Sequence, residues 1–158
     1  HKYILNWKMF EFLPGFVETF QKIGQLNYKL IIITNQQCIG KGLISESELN
    51  SIHKNMLETL KLNNISIHKI YYCPHLIEEN CPCRKPKPGM LFKAKKDLGL
   101  NIDYNCCYFI GDNISDIDAG KTFGCKTILL SSTLPVYNQH KVADYIVSEF
   151  SQLLNIIT

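Results

Sequence analysis

No stretch of this sequence stays apolar for the ~18 residues that a membrane-spanning helix needs, and nothing in it has the order of a secretion signal. It has no block of a single charge either: 17 Lys and Arg stand against 14 Asp and Glu, a formal charge of +3. That balance can favour an anionic ligand but is far from the basic stripe of a dedicated nucleic-acid binder. Internal repeats, low-complexity segments and linkers are missing, so the 158 residues are read as one domain, 1–158. No broad apolar stripe calls for an obligate dimer, and a monomer is expected. The seven cysteines form an odd number, which argues against a complete disulfide framework, and a reducing cytoplasm is the expected location.

What is present alternates between two periods. Leu30-Ile31-Ile32-Ile33-Thr34 is a continuous β-branched run, as in a strand covered on both faces. Further strands are expected at Ile67 to Tyr72, Cys106 to Ile110, Thr127 to Leu130 and Tyr145 to Val147. Helices are expected between them: one opened by Pro14-Gly15, one from Ser45 with Glu48 completing a capping box, one from about Met90 to Leu98, one from Ile114 to Phe123, and a closing one over Ser148 to Ile157. Strands alternating with helices make the expected fold an α/β, Rossmann-like parallel sheet with helices on both faces. Ligands bind such sheets beyond the carboxyl ends of the strands. Three of these ends run into polar loops, at Thr34-Asn35-Gln36-Gln37, Cys73-Pro74-His75 and Gly111-Asp112.

Each loop has a chemical reading and a plainer one. Asp112 and Asp116, one helical turn apart, offer hard oxygen ligands of the kind Mg²⁺ takes, or else cap the helix that follows. Thr34-Asn35 can hold phosphoryl oxygens through a hydroxyl and backbone N–H groups, or can simply form an Asn turn. Cys73, His75, Cys81 and Cys83 supply three thiolates and an imidazole within eleven residues, a set that suits closed tetrahedral Zn²⁺, with local disulfides as the alternative. Arg84 and Lys85 follow the last of these ligands directly, between prolines that stiffen the turn, and can grip a phosphate; the alternative is a solvated basic turn. Cys38 is read as an inert thiol, and Cys106, Cys107 and Cys125 as small hydrophobes beside strands.

The order Thr-Asn-Gln, Cys-x-His, Cys-x-Cys-Arg-Lys-Pro, Gly-Asp-x-x-x-Asp resembles the haloacid dehalogenase superfamily. Within it the chain is similar to the zinc-containing branch that includes the heptose bisphosphate phosphatases and the histidinol phosphate phosphatase domain. Ile33 to Gly42, Lys85-Pro86-Lys87-Pro88-Gly89-Met90 and the opening His1-Lys2-Tyr3 look more like the heptose enzymes. The resemblance implies that Thr34 and Asn35 hold the transferring phosphoryl group and that Gln36 and Gln37 line the substrate site. It also implies that Arg84 binds substrate, Lys85 balances charge at the nucleophile, Asp112 holds Mg²⁺, and a zinc-binding loop spans 73–83. Heptose enzymes often carry Lys after the motif Asp, where this chain has Asn113.

Family members begin with a strand ending in Asp-x-Asp-Gly, and no such motif occurs in these residues. In this fold that strand is central, between the strands leading to Thr34 and Asp112. The expectation is therefore a further strand and loop of roughly 20 residues before His1 that carries the nucleophile. The implied activity is Mg²⁺-dependent removal of a phosphate from a small phosphorylated sugar, a heptose 1,7-bisphosphate, through an aspartyl-phosphate. The competing readings are a histidinol phosphate phosphatase and a non-catalytic zinc module that binds a phosphosugar or nucleic acid.

Overall fold

The computed structural model describes residues 3–131 and 143–157. Of the opening His1-Lys2-Tyr3, His1 and Lys2 therefore lie outside the described residues. The chain divides into two compact units, with the boundary between Cys81 and Pro82.

The first unit runs through a short 3-10 turn at Trp7–Met9, α1 (Phe16–Gly24), β1 (Leu30–Asn35), α2 (Glu46–Leu62) and β2 (Ile67–Cys73). Gly15 precedes α1 at φ 77°, a left-handed conformation that costs glycine nothing. The capping box of α2 forms as its sequence requires. The Glu48 N–H donates to the Ser45 hydroxyl, and the Ser45 N–H donates to the Glu48 carboxylate. Helical spacing then turns Leu49, Ile52, Met56 and Leu60 to the interior. Beneath α2, Met56, Leu60 and Ile65 pack with Trp7, Phe10, Phe12, Phe16 and Phe20. Successive aromatic rings in that series lie 4.5–5.5 Å apart. The Trp7–Met9 turn, which starts this aromatic series, is not among the elements expected from sequence. β1 pairs in parallel with β2, setting Thr34 opposite Tyr72 and Asn35 opposite Cys73.

The second unit contains α3 (Gly89–Asp97), a 3-10 turn at Tyr104–Cys106, β3 (Tyr108–Gly111), α4 (Ile114–Phe123), β4 (Lys126–Leu130), β5 (Tyr145–Val147) and a 3-10 helix at Phe150–Asn155. Its strands are parallel in the order β3-β4-β5. Among the described residues β1 has only β2 as a partner and β3 only β4, so each leaves one ladder edge unpaired. Ile117, Leu129 and Ala143 form a buried cluster between α4 and β4. Thr127, fully buried on β4, donates both its N–H and its hydroxyl to the Asp144 carboxylate at 2.7 Å, which fixes the start of β5. These groups hold the Asp144 carboxyl below its ordinary pKa against the opposing effect of burial.

Three local expectations change. The strand expected from Cys106 starts at Tyr108, because Asp103 accepts from the Asn105 N–H and winds the preceding residues into a turn. That turn leaves Cys106 exposed rather than packed. The closing helix is 3-10 rather than α: its tighter period aligns Phe150 with Leu153, and both are buried.

Candidate active site and metal centre

The Thr34 loop is built on the register of the first unit. Because Asn35 lies opposite Cys73, the phosphate-binding candidate and the first zinc-ligand candidate leave their strands side by side. Two backbone bonds then tie the loops together: the Gln36 N–H donates to the Cys73 carbonyl at 2.7 Å and the Gly40 N–H to the Pro74 carbonyl at 3.1 Å. Gly40 is required for this approach, since a Cβ there would stand 2.7 Å from the Pro74 oxygen. Thr34, Asn35, Gln36 and Gln37 are all half-buried. The Gln37 amide donates to the Tyr3 hydroxyl at 2.7 Å, and the Lys41 ammonium lies 5.3 Å from the centre of the Tyr3 ring. Cys38 is buried beneath this loop, and burial pushes its thiol pKa up.

The Cys/His loop brings its four expected ligands together. One donor atom each from Cys73, His75, Cys81 and Cys83 lies within 4.8 Å of the others. The Cys73 sulfur is 3.5 Å from the His75 Nδ1 and 3.5 Å from the Cys81 sulfur. A tetrahedral zinc with Zn–S bonds of about 2.3 Å needs sulfur-to-sulfur edges of about 3.8 Å, so this soft donor set suits that ion in both chemistry and size. No disulfide, the alternative weighed from sequence, joins the cysteines of this loop.

In the second unit the basic turn is followed by α3. Gly89, the first residue of α3, permits this path, because a Cβ there would meet the Pro82 carbonyl oxygen at 2.3 Å. Arg84 and Lys85 are half-buried, and the Lys87 N–H donates to the Arg84 carbonyl at 2.9 Å. The Lys85 ammonium bonds the Asp116 carboxylate, with the two side chains only 12% and 6% exposed, and lies 6.0 Å from the centre of the Phe109 ring.

Asp116 is also the third residue of α4, and its other oxygen accepts from the Asn113 N–H at 3.1 Å. Asn113, in place of the family's frequent Lys, is the N-cap, accepting from the Ser115 N–H at 3.0 Å. So Asp116 is committed to a lysine and a helix cap, while Asp112, at the tip of β3, faces solvent. Gly111 is needed less for its own turn than for its neighbour, since a Cβ on it would lie 2.3 Å from the Asp116 Cβ. The Asp-x-x-x-Asp spacing by itself shows neither of these Asp116 contacts. Nothing near Asp116 in sequence points to Lys85, 31 residues away. The Tyr3–Gln37 bond is likewise invisible to a local pattern.

Parallel strands alternating with helices, with Asp112 at the tip of β3 and a lysine anchored by Asp116 on the helix that follows, fit the haloacid dehalogenase-like class of phosphatases, and the relatives of the chain place it there. The HAD-hydrolase-like family model matches residues 82–151. The D-glycero-beta-D-manno-heptose-1,7-bisphosphate 7-phosphatase of Pasteurella multocida is 34% identical, over 99% of this chain and 89% of its own length. The corresponding alpha-named enzyme of Campylobacter jejuni is 42% identical, over 82% of this chain and 73% of its own. The crystal structure of the D,D-heptose 1,7-bisphosphate phosphatase of B. bronchiseptica, complexed with magnesium and phosphate, superposes with a TM-score of 0.83 at 24% identity, over 98% of this chain and 89% of that one. The chain belongs to the D-glycero-D-manno-heptose-1,7-bisphosphate 7-phosphatase family.

Proposed function

We propose that this enzyme hydrolyses one phosphate ester of a sugar bisphosphate, a heptose 1,7-bisphosphate, as a Mg²⁺-dependent monomer in the cytoplasm, and so supplies heptose precursor for lipopolysaccharide. The observation that carries the reading is the nearly buried Lys85–Asp116 pair, whose carboxylate also accepts from the N–H of Asn113, the residue after the exposed Asp112. A cation held by a buried carboxylate, next to a hard oxygen ligand, suits a site where phosphoryl charge is neutralised. Relatives named for this reaction, of which the chain spans 89% and 73%, give the substrate class. The odd number of cysteines, which argues against a complete disulfide framework, supports the location.

Asp112 would hold Mg²⁺, and its exposed carboxylate oxygens fit a hard cation. Cys73, His75, Cys81 and Cys83 would hold Zn²⁺, whose four protein ligands leave no open position and make its contribution structural. When bound, Mg²⁺ supplies positive charge against the developing charge of the transition state. Thr34 and Asn35 would bind the phosphoryl oxygens, Gln36 and Gln37 would line the sugar, and Arg84 would clamp substrate bidentately. Lys85, kept in one orientation by Asp116, would offset charge at the nucleophile. In the family the nucleophile is the first aspartate of an Asp-x-Asp-Gly segment, a motif that these 158 residues do not contain, and the covalent route through it splits one hard displacement into two easier ones.

Parallel assays of the full-length protein on heptose 1,7-bisphosphate and on histidinol phosphate test the proposal. Faster turnover of the heptose ester is expected, and preference for histidinol phosphate would move the enzyme to the neighbouring branch. Binding of a phosphosugar without turnover would mark a non-catalytic module.

A further inference from the structure

Two thiols have no part in the site described above. Cys107 and Cys125 each stand one residue before a strand, and the pairing of Tyr108 with Lys126 makes them opposite neighbours on adjacent parallel strands. The Lys126 N–H donates to the Cys107 carbonyl at 2.8 Å, which locks the backbones in register at that point. The two sulfurs are 2.7 Å apart. Cys125 is buried, Cys107 is half-buried, and the adjacent Cys106 is exposed. Neighbouring strands lie about 4.7–4.9 Å apart, inside the roughly 4.4–6.8 Å Cα separation that a disulfide spans. Joining these sulfurs therefore needs side-chain rotation and no backbone movement.

The position of the pair gives it a consequence. The 18-residue separation between the thiols encloses β3, the Asp112 loop and α4 with Asp116. A bond there would close a ring around the segment that presents the carboxylates of the site. It would do so from the amino ends of β3 and β4, while Asp112 leaves the carboxyl end of β3. A cross-link at one end of a βαβ unit constrains its unfolding without occupying the other end.

We propose that Cys107 and Cys125 are a reversible thiol–disulfide pair that staples the β3–α4–β4 unit when the protein meets a low-molecular-weight disulfide such as oxidised glutathione. The Cys107 thiolate, the more accessible of the two, attacks one sulfur of oxidised glutathione, forming a mixed disulfide and releasing one glutathione thiolate. The Cys125 thiolate then attacks the Cys107 sulfur and releases the second glutathione thiolate. Two protein thiols lose two electrons and two protons, and one small disulfide is reduced to two thiols.

The test treats the full-length protein, as purified, with oxidised glutathione, alkylates the remaining thiols and maps tryptic peptides without reduction. The expected product joins residues 97–121 to residues 122–126, with fragmentation placing the bond on Cys107 rather than Cys106. Cys106→Ser should keep the link, and Cys125→Ser should lose it. The oxidised protein should melt several degrees higher, and dithiothreitol should reverse the shift. Recovery of Cys107 and Cys125 as alkylated thiols, or a link carried by Cys106, overturns the proposal. The wild-type map alone decides between these results if a variant does not fold.

Discussion

Lys85 and Asp116, 31 residues apart in sequence, form a nearly buried ion pair in which the Asp116 carboxylate also accepts the Asn113 N–H that starts α4. One carboxylate therefore fixes both the cation of the site and the helix behind the Asp112 loop. Removing one partner of a buried pair leaves the other charge uncompensated, at about 3–5 kcal/mol. Asp116→Ala should accordingly lower the folding free energy by that order in a urea titration. A loss under about 1 kcal/mol would mean that the pair does not anchor the unit.

Gly111→Ala probes the same contact from the other side. The added methyl would fall 2.3 Å from the Asp116 Cβ, so the carboxylate has to move away from Lys85. An overpacking cost of about 1–3 kcal/mol is expected, together with a fall in kcat larger than any change in KM. A variant with wild-type stability and kcat would show that Asp116 does not need its present place.

Zinc is tested by elemental analysis of reduced protein, which should give one zinc per chain. Cys81→Ser should lose the metal and the thermal stability that comes with it. Because Cys83 leads directly into Arg84 and Lys85, phosphate release should fall as well, and added Mg²⁺ should not restore it. Zinc-free protein with full activity would contradict this arrangement.

His53 supplies a pH signature of its own. Partial burial of this α2 residue, with its ring 5.7 Å from that of Tyr72 on β2, lowers the pKa of the imidazole from its ordinary 6.5. The unfolded chain then takes a proton at this position before the folded chain does. Stability is full above pH 6.5 and declines as the pH falls through that value towards the lower folded-state pKa. An NMR titration of the His53 ring should show a midpoint below 6.5, and a midpoint at or above it would contradict the burial.

The elements that sequence made legible are those with local causes. The Ser45–Glu48 capping box, the Ile-rich run of β1 and Gly99, at φ 56° just past the end of α3, each declare their structure within a few residues. The clustering of Cys73, His75, Cys81 and Cys83 is legible for the same reason, since they fall within one short loop. What was not legible depends on distant partners. The spacing of Asp116 from Asp112 says nothing of its bond to Lys85, and the Tyr3–Gln37 bond joins residues 34 apart. Cys106 was expected to pack, because its neighbours in sequence look strand-like. The Asp103 side chain, bonding the Asn105 N–H, turns that segment away from the sheet and leaves the thiol exposed.

The most direct measurement is phosphate release from heptose 1,7-bisphosphate by the full-length Asp112→Asn enzyme, across a range of Mg²⁺ concentrations. Losing one hard anionic ligand at the tip of β3 should abolish the Mg²⁺-dependent reaction, while the fold and the zinc content stay as in the wild type. An Asn variant that releases phosphate at the wild-type rate, with the same dependence on Mg²⁺, would contradict the account.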